Sequence, residues 1–266
     1  MSILDTIVAQ KRVETALLPP GPVAAHQLRE AIRHRGSGVR DFTAALAHPR
    51  RGDIGLIAEV KKASPSLGVI CPDFDPVRIA QAYEAAGASC LSVLTDERFF
   101  QGSLEYLKAI RGAVGLPLLR KDFIIDERQI LEAIEWGADA ILLIVSILSD
   151  DQLSHFHSLA DAAGLAALVE VHDADELDRA LRCGARLVGV NNRDLNTFTV
   201  DLGHVVRMRA ILPTDVTLVG ESGIATRQDA IYLEQNRIDA MLVGESLMRS
   251  PDVGLAVRIL LGKPIG

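Results

Sequence analysis

Strongly apolar, β-branched runs recur along the chain: Ile54–Val60, Cys90–Leu94, Leu116–Arg120, Ala138–Val145, Ala166–Val171, Arg186–Val190, Val216–Gly220 and Ala240–Gly244. Most are continuous in hydrophobicity rather than alternating, the signature of parallel strands covered on both faces by helices. Their starts lie roughly 20 to 36 residues apart, the span of one strand–helix unit. Between them the apolar positions switch to helical spacing, which predicts helices over Val77–Ala86, Leu104–Arg111, Glu127–Trp136, Asp151–Ala163, Ala174–Arg182 and Arg227–Gln235. Three of these segments run straight into the next strand through Ala86-Gly87-Ala88, Trp136-Gly137-Ala138 and Cys183-Gly184-Ala185. A glycine there takes the left-handed conformation that ends a helix at no steric cost. Eight such units predict a closed (β/α)8 barrel of the TIM type, an α/β fold. A doubly wound open sheet is the competing arrangement, but it usually has fewer strands and a glycine-rich turn after the first, which is missing.

Residues 1–50 precede the first strand. Ile3, Leu4, Ile7 and Val8 recur at helical spacing, and Leu28–Arg35 and Asp41–Ala47 predict further helical turns. This stretch is expected to be a helical extension covering one end of the barrel, and the barrel to occupy residues 51–266 of the same single domain. Val253–Leu261 supplies the eighth helix.

Composition narrows the function. Hydrophobic residues make up 48% of the 266, enough for a large core, while aromatics reach only 4%, poor for a platform that stacks nucleobases. A formal net charge of −7 argues against nucleic acid and against anionic membrane as partners, so any anion must be held locally by a few placed donors. The three cysteines, Cys71, Cys90 and Cys183, lie far apart, as expected for packed thiols in a reducing, cytoplasmic compartment. Asp5, Lys11, Arg12 and Glu14 interrupt the apolar start, so no signal-peptide core is read there, and Ile141–Ile147 is far too short to span a bilayer.

In such barrels chemistry sits where strands end and loops begin. The first strand ends in Glu59-Val-Lys61, with Glu59 and Lys61 on one side by alternation. Others end in Arg120-Lys121-Asp122-Phe123, Glu170-Val-His172, Asn191-Asn192-Arg193-Asp194 and Gly220-Glu221-Ser222-Gly223. Any one of these charges has an ordinary reading as a rim residue or surface ion partner, and His172 reads as a bystander because no histidine has metal-ligand spacing. The coincidence of Glu59, Lys61, Lys121, Glu170, Asn191 and Glu221 across five strand ends is what marks a site, since burying that many ionisable groups is costly unless they are paired. Gly220-Glu-Ser-Gly-Ile224 and Leu242-Val-Gly-Glu-Ser246 place small residues in two consecutive loops, where backbone amides of such barrels grip a phosphate.

Taken together, Glu59-Val-Lys-Lys-Ala-Ser-Pro-Ser66, Leu119-Arg-Lys-Asp-Phe-Ile-Ile-Asp126, Leu168-Val-Glu-Val-His172, Gly189-Val-Asn-Asn-Arg-Asp-Leu195 and Gly220-Glu-Ser-Gly-Ile224 closely resemble the indole-3-glycerol-phosphate synthase family, in order over nearly the whole chain. Leu67 departs from it, standing where many members carry a basic residue. The resemblance implies a carboxy-lyase of tryptophan biosynthesis. Its small, phosphorylated substrate is 1-(2-carboxyphenylamino)-1-deoxyribulose 5-phosphate, and the enzyme is monomeric with no metal or cofactor. It implies Lys121 as general acid for ring closure, Glu170 as a proton-transfer group in the dehydration, and Lys61, oriented by Glu59, as a second acid or a partner of the substrate carboxylate. Asn191, Glu221 and Ser222 would line the polar side, Arg193 would pair with the carboxylate or brace its loop, and Phe123 would wall the aromatic ring. Ser64, Ser222, Gly223, Gly244 and Glu245 would hold the phosphate. From the residues alone, a Schiff-base aldolase or epimerase of another sugar phosphate and a non-catalytic phosphometabolite sensor stay open as alternatives.

Overall fold

The structure, a computed structural model, describes residues 3–50, 52–194 and 199–262; Leu195, the last residue of one motif, lies outside them. Three helices come first, α1 (Ile3–Thr15), α2 (Ala25–His34) and α3 (Phe42–Ala47). The chain then runs through β1 (Gly55–Val60), a hairpin of β2 (Ala63–Ser64) and β3 (Gly68–Val69), α4 (Pro76–Ala86), β4 (Cys90–Leu94), α5 (Glu97–Phe100) and α6 (Leu104–Ala113). It continues with β5 (Leu118–Lys121), α7 (Arg128–Glu135), β6 (Ala140–Ile144), a 3-10 turn at Val145–Ile147, α8 (Asp150–Ala163), β7 (Ala166–Val171), α9 (Ala174–Arg182) and β8 (Leu187–Asn191). The last elements are α10 (Gly203–Arg209), β9 (Thr217–Glu221), α11 (Arg227–Gln235), β10 (Ala240–Val243), α12 (Glu245–Met248) and α13 (Val253–Leu260).

Eight parallel strands close into a barrel in the order β1-β10-β9-β8-β7-β6-β5-β4, with β1 paired to both β4 and β10. This is the (β/α)8 barrel that the apolar repeat predicts. Gly87, Gly137 and Gly184 take positive φ values of 109°, 97° and 92°, as the helix-to-strand joints require. Most helices start on a side-chain cap that accepts a backbone N–H, among them Asp75, Ser103, Ser149, Asp173, Thr226 and Asp252.

Alternation divides the strand side chains between two cores. One set, including Leu56, Leu91, Val169 and Leu218, packs outward against the helices. The other, including Ile57, Cys90, Leu119, Leu142, Leu168, Val219 and Leu242, fills the barrel lumen. Phe42 and Leu46 of α3 join this inner set and plug the end where strands begin, and Gly55 permits the approach because a Cβ there would stand 2.9 Å from the Leu46 carbonyl oxygen.

The extension departs from the expectation that it covers one end. α3 closes the strand N-terminal end, α2 packs along the side against α7 and α8, and α1 reaches the opposite end. There the buried Lys11 ammonium lies 3.0 Å from Asp96 and 2.8 Å from Asp122, just beyond the ends of β4 and β5. Asp122 is held down to about 2: burial opposes this, but Arg120 and Lys11 outweigh it. Among the described residues no helix is long and apolar enough to cross a membrane.

Candidate active site

The inward parity of the strands delivers Glu59, Lys121, Glu170, Asn191 and Glu221 to the C-terminal mouth of the barrel, with Lys61 one step beyond β1. Lys121 is the hub. Its Nζ lies 3.1 Å from Glu170 Oε2 and 2.8 Å from Glu221 Oε2, bridging from β5 to β7 and β9. All three carboxylates are buried, at 4%, 6% and 3% exposure for Glu59, Glu170 and Glu221, so they depend on their partners rather than on water.

The two carboxylates that share Lys121 are not equivalent. Burial pushes both up, but Glu170 ends below its ordinary value, because Lys121, the His172 imidazole and a hydrogen bond from Asn191 Nδ2 (3.2 Å) favour its charge. Glu221 is pushed up to about 7 by burial, with Glu170 and Glu59 adding to it and only Lys121 opposing. Its Oε1 is buried without a hydrogen bond among the described residues. Burial alone would lower the Lys121 ammonium, yet Glu221, Glu170 and Glu59 hold it well above its ordinary value. The site therefore holds a lysine kept as its ammonium, an ionised carboxylate and a carboxyl whose proton is exchangeable near neutrality.

Across the mouth Lys61 Nζ lies 2.5 Å from Glu59 Oε1, the pairing that alternation implied. Gly244 makes room for it: a Cβ there would stand 2.3 Å from Glu59 Oε1 and 3.1 Å from Lys61 Nζ. Gly189 does the same on β8, where a Cβ would fall 2.1 Å from Glu221 Oε1. An inward glycine in a barrel strand is a signal of close approach, and at Gly189 sequence reading passed it over.

The expected phosphate-binding residues come from three loops. Ser64 sits in the hairpin after β1 with its Oγ buried and without a hydrogen bond to any described residue, and the nearby Leu67 is exposed. Ser222 has a φ of 66° and Gly223 one of 78°, so the chain bends in left-handed conformation directly after Glu221. Such a φ is uncommon for a side-chain-bearing residue and, at a mouth, is strain kept for a purpose. Asn192, which sequence reading did not single out, holds it: buried, it donates from Nδ2 to the Ser222 carbonyl (3.3 Å) and accepts from the Val205 amide (3.1 Å). Glu245 opens α12 after Gly244, and its carboxylate lies 3.8 Å from Arg193 Nη2, linking two rim loops. The Arg193 amide donates to Asn191 Oδ1 at 3.1 Å, which fixes Asn191 toward Glu170. Phe123 is partly buried against the inner core and packs on Phe100 with ring centroids 6.0 Å apart.

His172 follows Glu170 by two residues and shares its side of β7. Its Nε2 lies 3.5 Å from Glu170 Oε1, so the structure brings it to the cluster although sequence spacing left it a bystander. Among the described residues no group of three or more His, Cys, Asp or Glu side chains is arranged to hold a metal ion.

The indole-3-glycerol phosphate synthase family model matches residues 4–260. The indole-3-glycerol phosphate synthase of Rhodopirellula baltica is 49% identical over 98% of this chain and 99% of its own length. That of Geobacillus thermodenitrificans is 49% identical over 99% and 98%. Among solved structures, 3-hexulose-6-phosphate synthase from Salmonella typhimurium superimposes with a TM-score of 0.63 at 14% identity, covering 79% of this chain and 97% of that one; the likeness is one of fold.

Proposed function

The chain belongs to the indole-3-glycerol phosphate synthase family, and we propose that its proton transfers run through Lys121, an ammonium shared by the buried carboxylates of Glu170 and Glu221 at the barrel mouth. The enzyme is a carboxy-lyase of tryptophan biosynthesis. It closes the ring of 1-(2-carboxyphenylamino)-1-deoxyribulose 5-phosphate, then releases carbon dioxide and water to give indole-3-glycerol phosphate.

In the first step the ring carbon bearing the carboxylate attacks the ribulose carbonyl, and the developing alkoxide takes a proton from Lys121. Carbon dioxide leaves as the ring regains aromaticity, its electron pair drawn toward the nitrogen-stabilised cation. Loss of the new hydroxyl needs an acid, and removal of a methylene proton next to the nitrogen needs a base. Glu170, kept ionised, is the base in this half, and Lys61, oriented by Glu59, is the acid or the anchor of the substrate carboxylate. Glu221, with its proton exchangeable near neutrality, returns a proton to Lys121 across 2.8 Å. Asn191 holds Glu170 in place, and Phe123 walls the aromatic ring. Ser64, Ser222, Gly223, Gly244 and the Glu245 backbone take the phosphate, with Arg193 bracing that side.

The single observation that carries this reading is the state of Lys121. A Schiff-base lysine must present a lone pair, which requires a lowered proton affinity; two carboxylates hold Lys121 in the opposite condition. That argues against the aldolase alternative and keeps Lys121 as the ammonium that acid catalysis needs. The test is a fluorescence assay for indoleglycerol phosphate with purified protein, the carboxyphenylamino-deoxyribulose phosphate and a chelator. Product is expected, and none from well-folded protein would return the chain to the sensor reading. Monomeric assembly is part of the proposal, and sedimentation of the purified protein tests it.

A further inference from the structure

His172 has a contact set that the assigned chemistry leaves unused. Glu176, in the first turn of α9, grips the ring: its Oε2 lies 3.1 Å from Nδ1 and also accepts the His172 backbone N–H at 2.7 Å. Glu176 is itself fixed, because its own amide donates to the N-cap Asp173 at 2.8 Å. From behind, His204 of α10 places Nε2 2.9 Å from the His172 carbonyl oxygen. A carboxylate can only accept, so Nδ1 carries a proton. That leaves Nε2, which is buried, makes no hydrogen bond among the described residues, and lies 3.5 Å from Glu170 Oε1.

A bare Nε2 lone pair facing a carboxylate oxygen would be repulsive and unsatisfied, whereas an Nε2–H faces an acceptor. The charged groups around the ring point the same way. Glu170 on its own strand, Glu176 on α9 and Glu221 on β9 all raise the imidazole above its ordinary value, against burial, which would lower it. The other nearby cation, Lys121, is taken up by the two carboxylates. Glu170 thus has two cations and an amide, while Glu221 has Lys121 alone and one bare oxygen.

We propose that His172, locked by Glu176, is a positioning residue that gives the negative charge of the Lys121-bridged pair to Glu170 and leaves the proton with Glu221. It acts through Glu170 rather than on the substrate. The proposal deepens the assigned reaction and rests on that reading for its consequence, which is a base already ionised when the methylene proton must leave.

The test is a carbon-13 NMR titration of the glutamate side-chain carboxyls in the substrate-free full-length protein, with Glu170 and Glu221 assigned by their Gln variants. In the wild type Glu170 titrates below Glu221. In His172→Gln the Glu170 midpoint is expected to rise by about one pH unit and that of Glu221 to fall, because the two compete for one ammonium. Glu176→Gln, which frees the ring without deleting it, should move both in the same senses by less. In kinetics the acid limb of kcat should move to higher pH in both variants while KM stays within about twofold. Unmoved midpoints, midpoints that shift together, or an effect confined to KM would overturn the proposal. Because the titration is read without substrate, its result is distinct from failure of the product assay.

Discussion

The two ends of the barrel treat buried charge in opposite ways. At the end where strands begin, Asp139 is fully buried and every acceptor position is used. Arg35 and Arg111 reach it at 3.4 and 2.5 Å, and the amides of Arg40 and Leu118 donate to it at 2.8 and 3.0 Å. Two guanidinium groups and two amides serve one carboxylate, and the cluster staples the extension to the start of β5 and β6. At the mouth cations no longer outnumber carboxylates. Glu59, Glu170 and Glu221 share Lys61, Lys121 and the His172 imidazole, and Glu221 Oε1 is left bare. Surplus donors lock a carboxylate into one state, while a shortage leaves protons able to move. The first arrangement suits a joint and the second a proton-transfer site.

Deleting the hub at each end should separate these roles. Lys121→Ala should lower turnover on the order of 10³-fold while substrate affinity stays within a modest factor, measured by steady-state kinetics and ligand titration; turnover near wild type would remove its acid role. Asp139→Asn should instead cost about 3–5 kcal/mol of stability, since it leaves two buried arginines without their anion. Urea unfolding reads that loss, and kcat of the folded enzyme should hardly change. A large loss of kcat at unchanged stability would break the contrast between the ends.

Two smaller effects sharpen it. Gly189→Ala places a methyl 2.1 Å from Glu221 Oε1, which must swing away from Lys121. Turnover should fall about tenfold to a hundredfold, as for an ångström-scale misplacement, and normal kinetics would show that Glu221 is free to be elsewhere. The smallest effect is a pH slope. Glu221 rises from its ordinary value of 4.5 to about 7 on folding, mainly through burial. Below 4.5 it is protonated in both states; between 4.5 and 7 the folded state keeps a proton that the unfolded state releases. Stability from this group is therefore present at low pH and lost as pH rises through about 7. Glu221→Gln should flatten that part of the urea-stability profile, and an unchanged slope would assign it to another group.

Much of the mouth was legible because strand alternation is local. A period of two places Glu59 with Lys61 from neighbouring residues alone. The eight strands were legible because continuous apolar runs bounded by helical spacing are equally local, and their predicted bounds differ from the observed ones by two residues or fewer. Some elements escaped: the β2–β3 hairpin and α5 have too few residues to show a period, and α10 went unread although Val205 and Met208 stand at helical spacing. Asn192 left no signal, since its parity points away from the lumen and only the fold brings its amide to the Ser222 carbonyl. The extension was readable as helix but not as a strap, because Lys11 finds Asp96 and Asp122 across more than eighty residues of chain.

The sequence by itself determined the barrel, the side chains that face its mouth and, through its motifs, the family. Those follow from hydrophobic period, strand parity and residue order, all local properties of the chain. Only the tertiary structure decided which ammonium serves which carboxylate, why Glu170 and Glu221 differ, and that His172 stands beside the former. Those depend on barrel closure and cross-strand register, which set distances between residues up to a hundred positions apart, and on burial, which turns the distances into differences of charge.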